Sequence, residues 1–145
     1  MARIDTVNGT PDWAVRVGGS GANAVTGVAA DAVNAMYATG MFSAPYSQGA
    51  IALTHAGGTD VFAIKYTSAG VLEFARSAGG ESDDAGNGVA AGAGGESYYT
   101  GTVFFRGIFD QITLGANGDD DAFVARLSAI SGIDAGVVSI LTPTV

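Results

Sequence analysis

The sequence predicts an all-β chain made of two tandem copies of one four-stranded repeat. Three observations predict it. The first is composition. The 145 residues include 23 Gly but 3 Pro, are 48% hydrophobic and only 14% charged. Glycine is costly inside a helix and natural at tight turns. Together with abundant Thr, Val and aromatic residues, it favours short strands over a helical bundle. The second is self-similarity at an offset of 61 residues, which places Gly18-Gly19 on Gly79-Gly80 and Gly27-Val28-Ala29-Ala30 on Gly88-Val89-Ala90-Ala91. The same offset places Tyr37 on Tyr98, Thr39-Gly40 on Thr100-Gly101, Ile51 and Leu53 on Ile112 and Leu114, and Asp60 and Phe62 on Asp121 and Phe123. It holds without a gap from residue 13 to 65, as expected of one supersecondary unit repeated. The third is turn chemistry at matching places: Asp31 to Asn34, Ser68 to Gly70, and Gly92 to Gly95.

In the first copy, strand A is read at Ala24 to Ala30, B at Met36 to Phe42, C at Val61 to Tyr66 and D at Leu72 to Ser77. The second copy gives Ala85 to Ala91, Tyr98 to Phe104, Ala122 to Leu127 and a weak segment from Gly136 to Leu141. A short extra strand at Ile51 to Leu53, repeated at Ile112 to Leu114, decorates the B–C connection. Four short antiparallel strands per copy are the pattern of a β-propeller blade. The expected architecture is therefore two four-stranded blades in one domain. Blade 1 spans 20–80 and blade 2 spans 81–132. An N-terminal half-repeat (1–19) precedes them and a C-terminal tail (133–145) follows.

The segment GVAADAVNAMYATGMF resembles the A–B hairpin of the bacterial β-propeller repeat family often abbreviated SBBP. LTHAGGTDVFAIKYTSAGVLEFARSAGG and LGANGDDDAFVARLSAISG are similar to its C–D hairpins. The resemblance implies a propeller fold. The family has no general enzymatic activity, so the resemblance implies no catalytic residues.

Two blades alone would leave apolar outer faces in water, and propellers use roughly four to eight blades. The chain is expected to close with copies of itself. Ala2-Arg3-Ile4 matches Ala125-Arg126-Leu127, so residues 1–5 read as a truncated strand C. Residues 13–17, led by Trp13, read as a complete strand D, whereas the last strand D has Gly136 where Trp13 and Phe74 stand. The expectation is strand exchange in a cyclic homo-oligomer, with Ala2, Ile4, Trp13, Val15, Val17, Phe123 and Ala125 at the closure. Three chains would close a six-bladed ring, the favoured form, and four an eight-bladed one. Val137, Val138, Ile140 and Leu141 are read as contacts of an apolar arm; the alternative is a plain fourth strand.

The net charge of −8 argues against nucleic acid, whose phosphates require clustered Lys and Arg. With no Cys, disulfides, thiolate metal sites and thiol nucleophiles are excluded. No apolar run approaches the ~18 residues of a membrane-spanning helix, so membrane insertion is not expected. The start MARIDT has no apolar signal region, so either the protein is not exported by a cleaved signal or the sequence is an excised or mature fragment.

Several residues invite chemistry. His55 is the single histidine and lies in a Gly-rich loop without a counterpart in the second copy. Catalysis needs a constellation around such a base, and a loop role is expected. Asp119-Asp120-Asp121 and Glu81 with Asp83-Asp84 supply the hard oxygens that Ca²⁺ takes, but the D-x-D-x-D-G spacing is missing. Turn and strand-start roles are expected, with calcium as the alternative and no other cofactor. Gly86-Asn87-Gly88 and Gly92 to Gly95 lack the following helix and Lys of a phosphate loop and read as turns. Asn8-Gly9-Thr10 matches a glycosylation sequon but sits where a hairpin turn is expected. Most aromatics recur between copies, as packing residues should. Tyr46 and Phe105 fall outside the shared pattern and read as exposed candidates.

The functional expectation is a non-enzymatic structural assembly protein, most concretely a virion decoration or cement protein bound to a larger shell. The alternative is a lectin-like or adhesive module that stacks sugars on loop aromatics.

Overall fold

The computed structural model describes residues 2–4, 8–128 and 137–140, with the backbone alone for 116–118 and 137–140. Every regular element among them is a strand. A short hairpin pairs β1 (Ala2–Ile4) with β2 (Pro11–Ala14). The first four-stranded sheet has the order β3 (Asn23–Ala30), β4 (Met36–Phe42), β7 (Asp60–Tyr66), β8 (Leu72–Ala78). Between β4 and β7 a separate hairpin pairs β5 (Tyr46–Gln48) with β6 (Ile51–Leu53). The second sheet runs β9 (Ala85–Ala91), β10 (Ser97–Phe109), β11 (Ile112–Leu127), β12 (Val137–Ile140). All pairings are antiparallel.

The repeat is preserved down to its irregularities. The first pair of each sheet bulges at equivalent places, between Val25 and Gly27 and opposite the Thr100/Gly101 step. Gly86-Asn87-Gly88 therefore lies inside β9, spanning this bulge, and is not the turn its glycines suggested. A bulge spends one extra residue without breaking the pair, which is what the glycines permit here. Opposite the bulge, a Cβ on Gly40 would lie 1.9 Å from Ala24 O and 2.9 Å from the Phe62 ring. A Cβ on Gly101 would lie 2.0 Å from Ala85 O and 2.6 Å from the Phe123 ring. Each pair of glycine, carbonyl and ring is the same constellation repeated.

The turns follow their chemistry. Asp31 Oδ1 accepts the N–H groups of Val33 and Ala35 while Asn34 takes φ +60°. Gly70 and Gly95 adopt φ +79° and +86° in the corresponding turns. Gly9 takes φ +72° beside Asn8, whose Oδ1 accepts from Thr10.

One element departs from the sequence pattern. The insertion near Ile112 is not a separate strand. β10 and β11 run on through it, pairing Arg106 with Gly115 and Phe109 with Ile112. The first copy carries Pro45 where the second carries Arg106. Proline donates no N–H to a ladder, so β4 stops and the insertion pairs with itself. Arginine lets the ladder continue past one bulge.

The core has two parts. One fills the seam between the sheets: Val61, Ala63 and Phe74 from the first meet Tyr99, Val103, Phe109, Leu114, Phe123, Ala125 and Leu127 from the second. The other covers the opposite face of the first sheet: Phe42, Phe62, Ile64 and Tyr66 pack with Tyr46 and Leu53 of the β5–β6 hairpin and with Trp13, Val15 and Val17. Tyr46 is thus buried against Phe42 and is not an exposed aromatic. At the seam, a Cβ on Gly27 would stand 3.0 Å from Gly88 Cα, and Thr26 Oγ1 donates to Gly86 O.

Gly40→Ala and Gly101→Ala should each destabilise the fold by about 1–3 kcal/mol, the usual cost of overpacking. Urea titration checks this. A loss well under that range in either variant would show that the bulge and ring can yield.

Candidate functional site

The offset of 61 allows the two sheets to be compared face by face. On the seam-facing side of the first sheet lie Tyr37, Thr39, Val61 and Ala63, all buried under the second sheet, with Tyr37 0% exposed. Their counterparts on the second sheet are Tyr98, Thr100, Ala122 and Val124. Register places these on one face: Tyr98 opposes Arg126, Thr100 opposes Val124 and Thr102 opposes Ala122. All four are exposed, Tyr98 and Val124 each at 38%. Identical backbone positions are therefore covered in one copy and open in the other. Nearby, Lys65 bonds Glu73 at 2.7 Å and sits 5.3 Å over the Tyr37 ring, while the equivalent Arg126 has a buried Nε without a partner.

The N-terminal hairpin covers the opposite end of the first sheet. Trp13 stands where Phe74 stands in the repeat and repeats its task. Its ring lies 6.0 Å from Tyr66 and its Nε1 donates to Ser68 O at 3.0 Å. Arg3 bonds the same carbonyl and pairs with Asp12 at 3.1 Å. The hairpin copies the β7–β8 register: Ala2, Arg3 and Ile4 oppose Ala14, Trp13 and Pro11, as Ile64, Lys65 and Tyr66 oppose Ala75, Phe74 and Leu72. β11 and β12 do the same, with Ala125, Arg126 and Leu127 opposing Ile140, Ser139 and Val137. The bulge falls after the same residue in all three hairpins.

The residues expected at a closure thus divide. Trp13, Val15 and Val17 lie half-buried on the first sheet, and Ala2 and Ile4 are exposed on β1. Phe123 and Ala125 are buried in the seam. Among the described residues, the apolar side chains of β11 left open are those of Ala122 and Val124, which the sequence pattern did not single out. The segment read as an apolar arm is a fourth strand here: Val137, Val138 and Ile140 belong to β12, on the edge of β11. Ser139 rather than Gly136 takes the position of Phe74, because a longer connection separates the last two strands. Leu141 lies outside the described residues.

At the rim of the seam, two carboxylates are enclosed. Asp60, 2% exposed, accepts Ala56 N at 2.7 Å on Oδ2 and leaves Oδ1 without a partner. Asp84, 0% exposed, accepts Gly80 N at 2.6 Å and Phe104 N at 2.9 Å. Both approach Gly79, where a Cβ would lie 2.4 Å from Asp60 Oδ1 and 2.9 Å from Asp84 Oδ2. Burial pushes both carboxyls above their ordinary value. The Ala56 N–H and His55 oppose this at Asp60, while Asp84 adds to it. The N–H groups of Phe104 and Gly80 oppose it at Asp84, while Asp83 and Asp120 add to it. His55 is half-buried in the loop, with Nε2 2.6 Å from Gly58 O. Among the described residues no three acidic or histidine side chains converge as a metal cluster. Asp119, Asp120 and Asp121 are exposed along β11.

No protein-family model matches the chain, and no curated protein matches it. The positional equivalence of its own two copies is accordingly the internal standard for judging which surface is incomplete.

A carboxyl raised above its ordinary 3.8 binds protons more tightly folded than unfolded. Its contribution is full below that ordinary value and is lost as pH rises through the raised folded value. Asp60→Asn keeps the shape, loses the charge and adds a donor beside Asp84. Relieving a buried unsatisfied acceptor is worth about 1–3 kcal/mol, so thermal denaturation at neutral pH should show a more stable variant. Its stability should also decline less between pH 4 and 7 than the parent's. An unchanged slope would show that Asp60 does not titrate in that window.

Proposed function

We propose that this protein is a non-enzymatic structural subunit: a pair of β-propeller blades that assembles head to tail with copies of itself into a ring. One observation carries the reading. The face bearing Tyr98, Thr100, Ala122 and Val124 is open, whereas the same positions on the first sheet are buried against a neighbouring sheet. The repeat supplies the partner. What covers such a face is the Phe42–Ile64 side of another first sheet, the side now packed with Trp13.

The three matching hairpin registers give the closure its form. β2 and β12 are interchangeable as the strand beside β11. β11 is held to β10 along most of its length, whereas β12 is held at three positions and β1 at three. In the assembly β2 of one chain pairs with β11 of the next, placing Ala14 opposite the neighbour's Ala125. Trp13 stays on its own Tyr66, and β1 and β12 are released. Two blades per chain close a six-bladed ring as a trimer. A disc with three equivalent tails suits a threefold position on a larger shell, and a virion decoration or cement protein is the most concrete form of this role. The SBBP-type motifs agree with the blade architecture, and a fold of this kind serves through its surfaces.

Light scattering on a sizing column tests the assembly. A mass near three times 14.4 kDa is expected, with Val124→Glu reduced to monomer because a charge in the docked face goes unpaired. A parent of monomer mass would refute the ring. The Ala14→Cys/Ala125→Cys variant tests the exchange, since the chain has no other cysteine. Non-reducing gels should show covalent oligomers. Oligomers by mass without those cross-links, while Ala2→Cys/Ala14→Cys closes within one chain, would keep the ring and reject the exchange.

A further inference from the structure

We propose that the cleft beside the β10 bulge is a carbohydrate-binding subsite, with Phe105 as its stacking platform for a neutral pyranose. Phe105 is 59% exposed and has φ +61°. A bulky residue in that region is a genuine outlier, and the matching position of a bulge is ordinarily filled by glycine. The fold does not demand the residue. The first copy carries Ser43-Ala44-Pro45 where the second carries Phe104-Phe105-Arg106, and Ala44 is not in the left-handed region. Strain of this kind points to a task outside folding.

The surroundings match one ligand chemistry. Phe104 braces Phe105 edge to face, with ring centres 4.4 Å apart and planes at 81°. Glu81, Ser82 and Arg106 line the same cleft of about 410 Å³. Glu81 and Arg106 are exposed, and neither forms an ion pair among the described residues. A pyranose offers one face of C–H groups and a rim of hydroxyls. The face stacks on an aromatic ring. The hydroxyls donate to a carboxylate and accept from a guanidinium. Glu81 and Arg106 offset each other, and Asp120, opposite Phe104 across the ladder, disfavours an anionic ligand, which leaves a neutral sugar. A purely apolar partner would leave both charges desolvated. The nearest residue of the assembly face, Ala122, opposes Thr102, three residues and about 10 Å along β10 from Phe105 at strand rise, so the cleft adjoins that face and shares none of its four residues.

Printed glycan arrays, followed by titration of the intact protein with methyl pyranosides at millimolar concentration under NMR, test the site. Binding to pyranose-terminated glycans is expected, with shifts confined to residues 81–82 and 104–106. Phe105→Gly should bind at least tenfold more weakly while melting at a higher temperature, because glycine removes the strain. Glu81→Gln should weaken binding and leave the melting temperature unchanged. No glycan bound, glycan binding indifferent to Phe105→Gly, or a peptide or protein ligand lost on that substitution would each overturn the proposal.

Discussion

The close approach of β3 and β9 sets the geometry on which the rest of the molecule depends. Two sheets whose faces are both apolar can bury them only by stacking, and the stacking distance is limited by whatever projects between their first strands. Here Gly27 meets Gly88, and Thr26 donates across the gap to Gly86. A side chain on Gly27 or Gly86 would meet backbone or Thr39 and hold the first strands apart, while β8, β10 and β11 carry the large residues of the seam. Small residues thus mark the margin where the first strands of the two sheets meet.

Much of this was legible in the sequence. The offset of 61 and the turn residues defined nearly every strand. They also implied that two faces per sheet needed cover. Departures arose where one residue changed the rule. Pro45 stops β4, and its replacement by Arg106 fuses an insertion into a long hairpin. Gly86-Asn87-Gly88 looks like a turn by composition, but its place in the repeat makes it a bulge. The sequence comparison put Gly136 where Trp13 and Phe74 stand, because it could not see that the last connection is longer and brings Ser139 there.

The candidate surface was less legible, for a physical reason. Equivalence between copies marks Tyr98 as a packing residue, and both Tyr98 and Val124 are packing residues by chemistry. Whether they are packed depends on what lies beyond them, which periodicity does not encode. The sequence pointed to Phe123 and Ala125 instead, on the right strand but facing the seam. The pairing of Asp60 with Asp84 was hidden similarly. The two are far apart in the repeat register, and the D-to-A connection alone brings them to either side of Gly79.

These features also separate what the fold requires from what it merely carries. Asp84 accepts two backbone N–H groups, that of Gly80 where β8 passes to β9 and that of Phe104 on β10. Its first-copy counterpart, Asn23, binds the carbonyl groups of Gly19 and Gly21 in the corresponding connection. Both are fastenings of the repeat, and burial of a carboxyl there needs no catalytic explanation. Phe105 is the opposite case. Its counterpart is a small residue in ordinary conformation, its ring is in water, and its backbone is strained. Divergence between two copies that must pack alike is most informative where packing does not reach, and Phe105 with its flanking charges meets that condition.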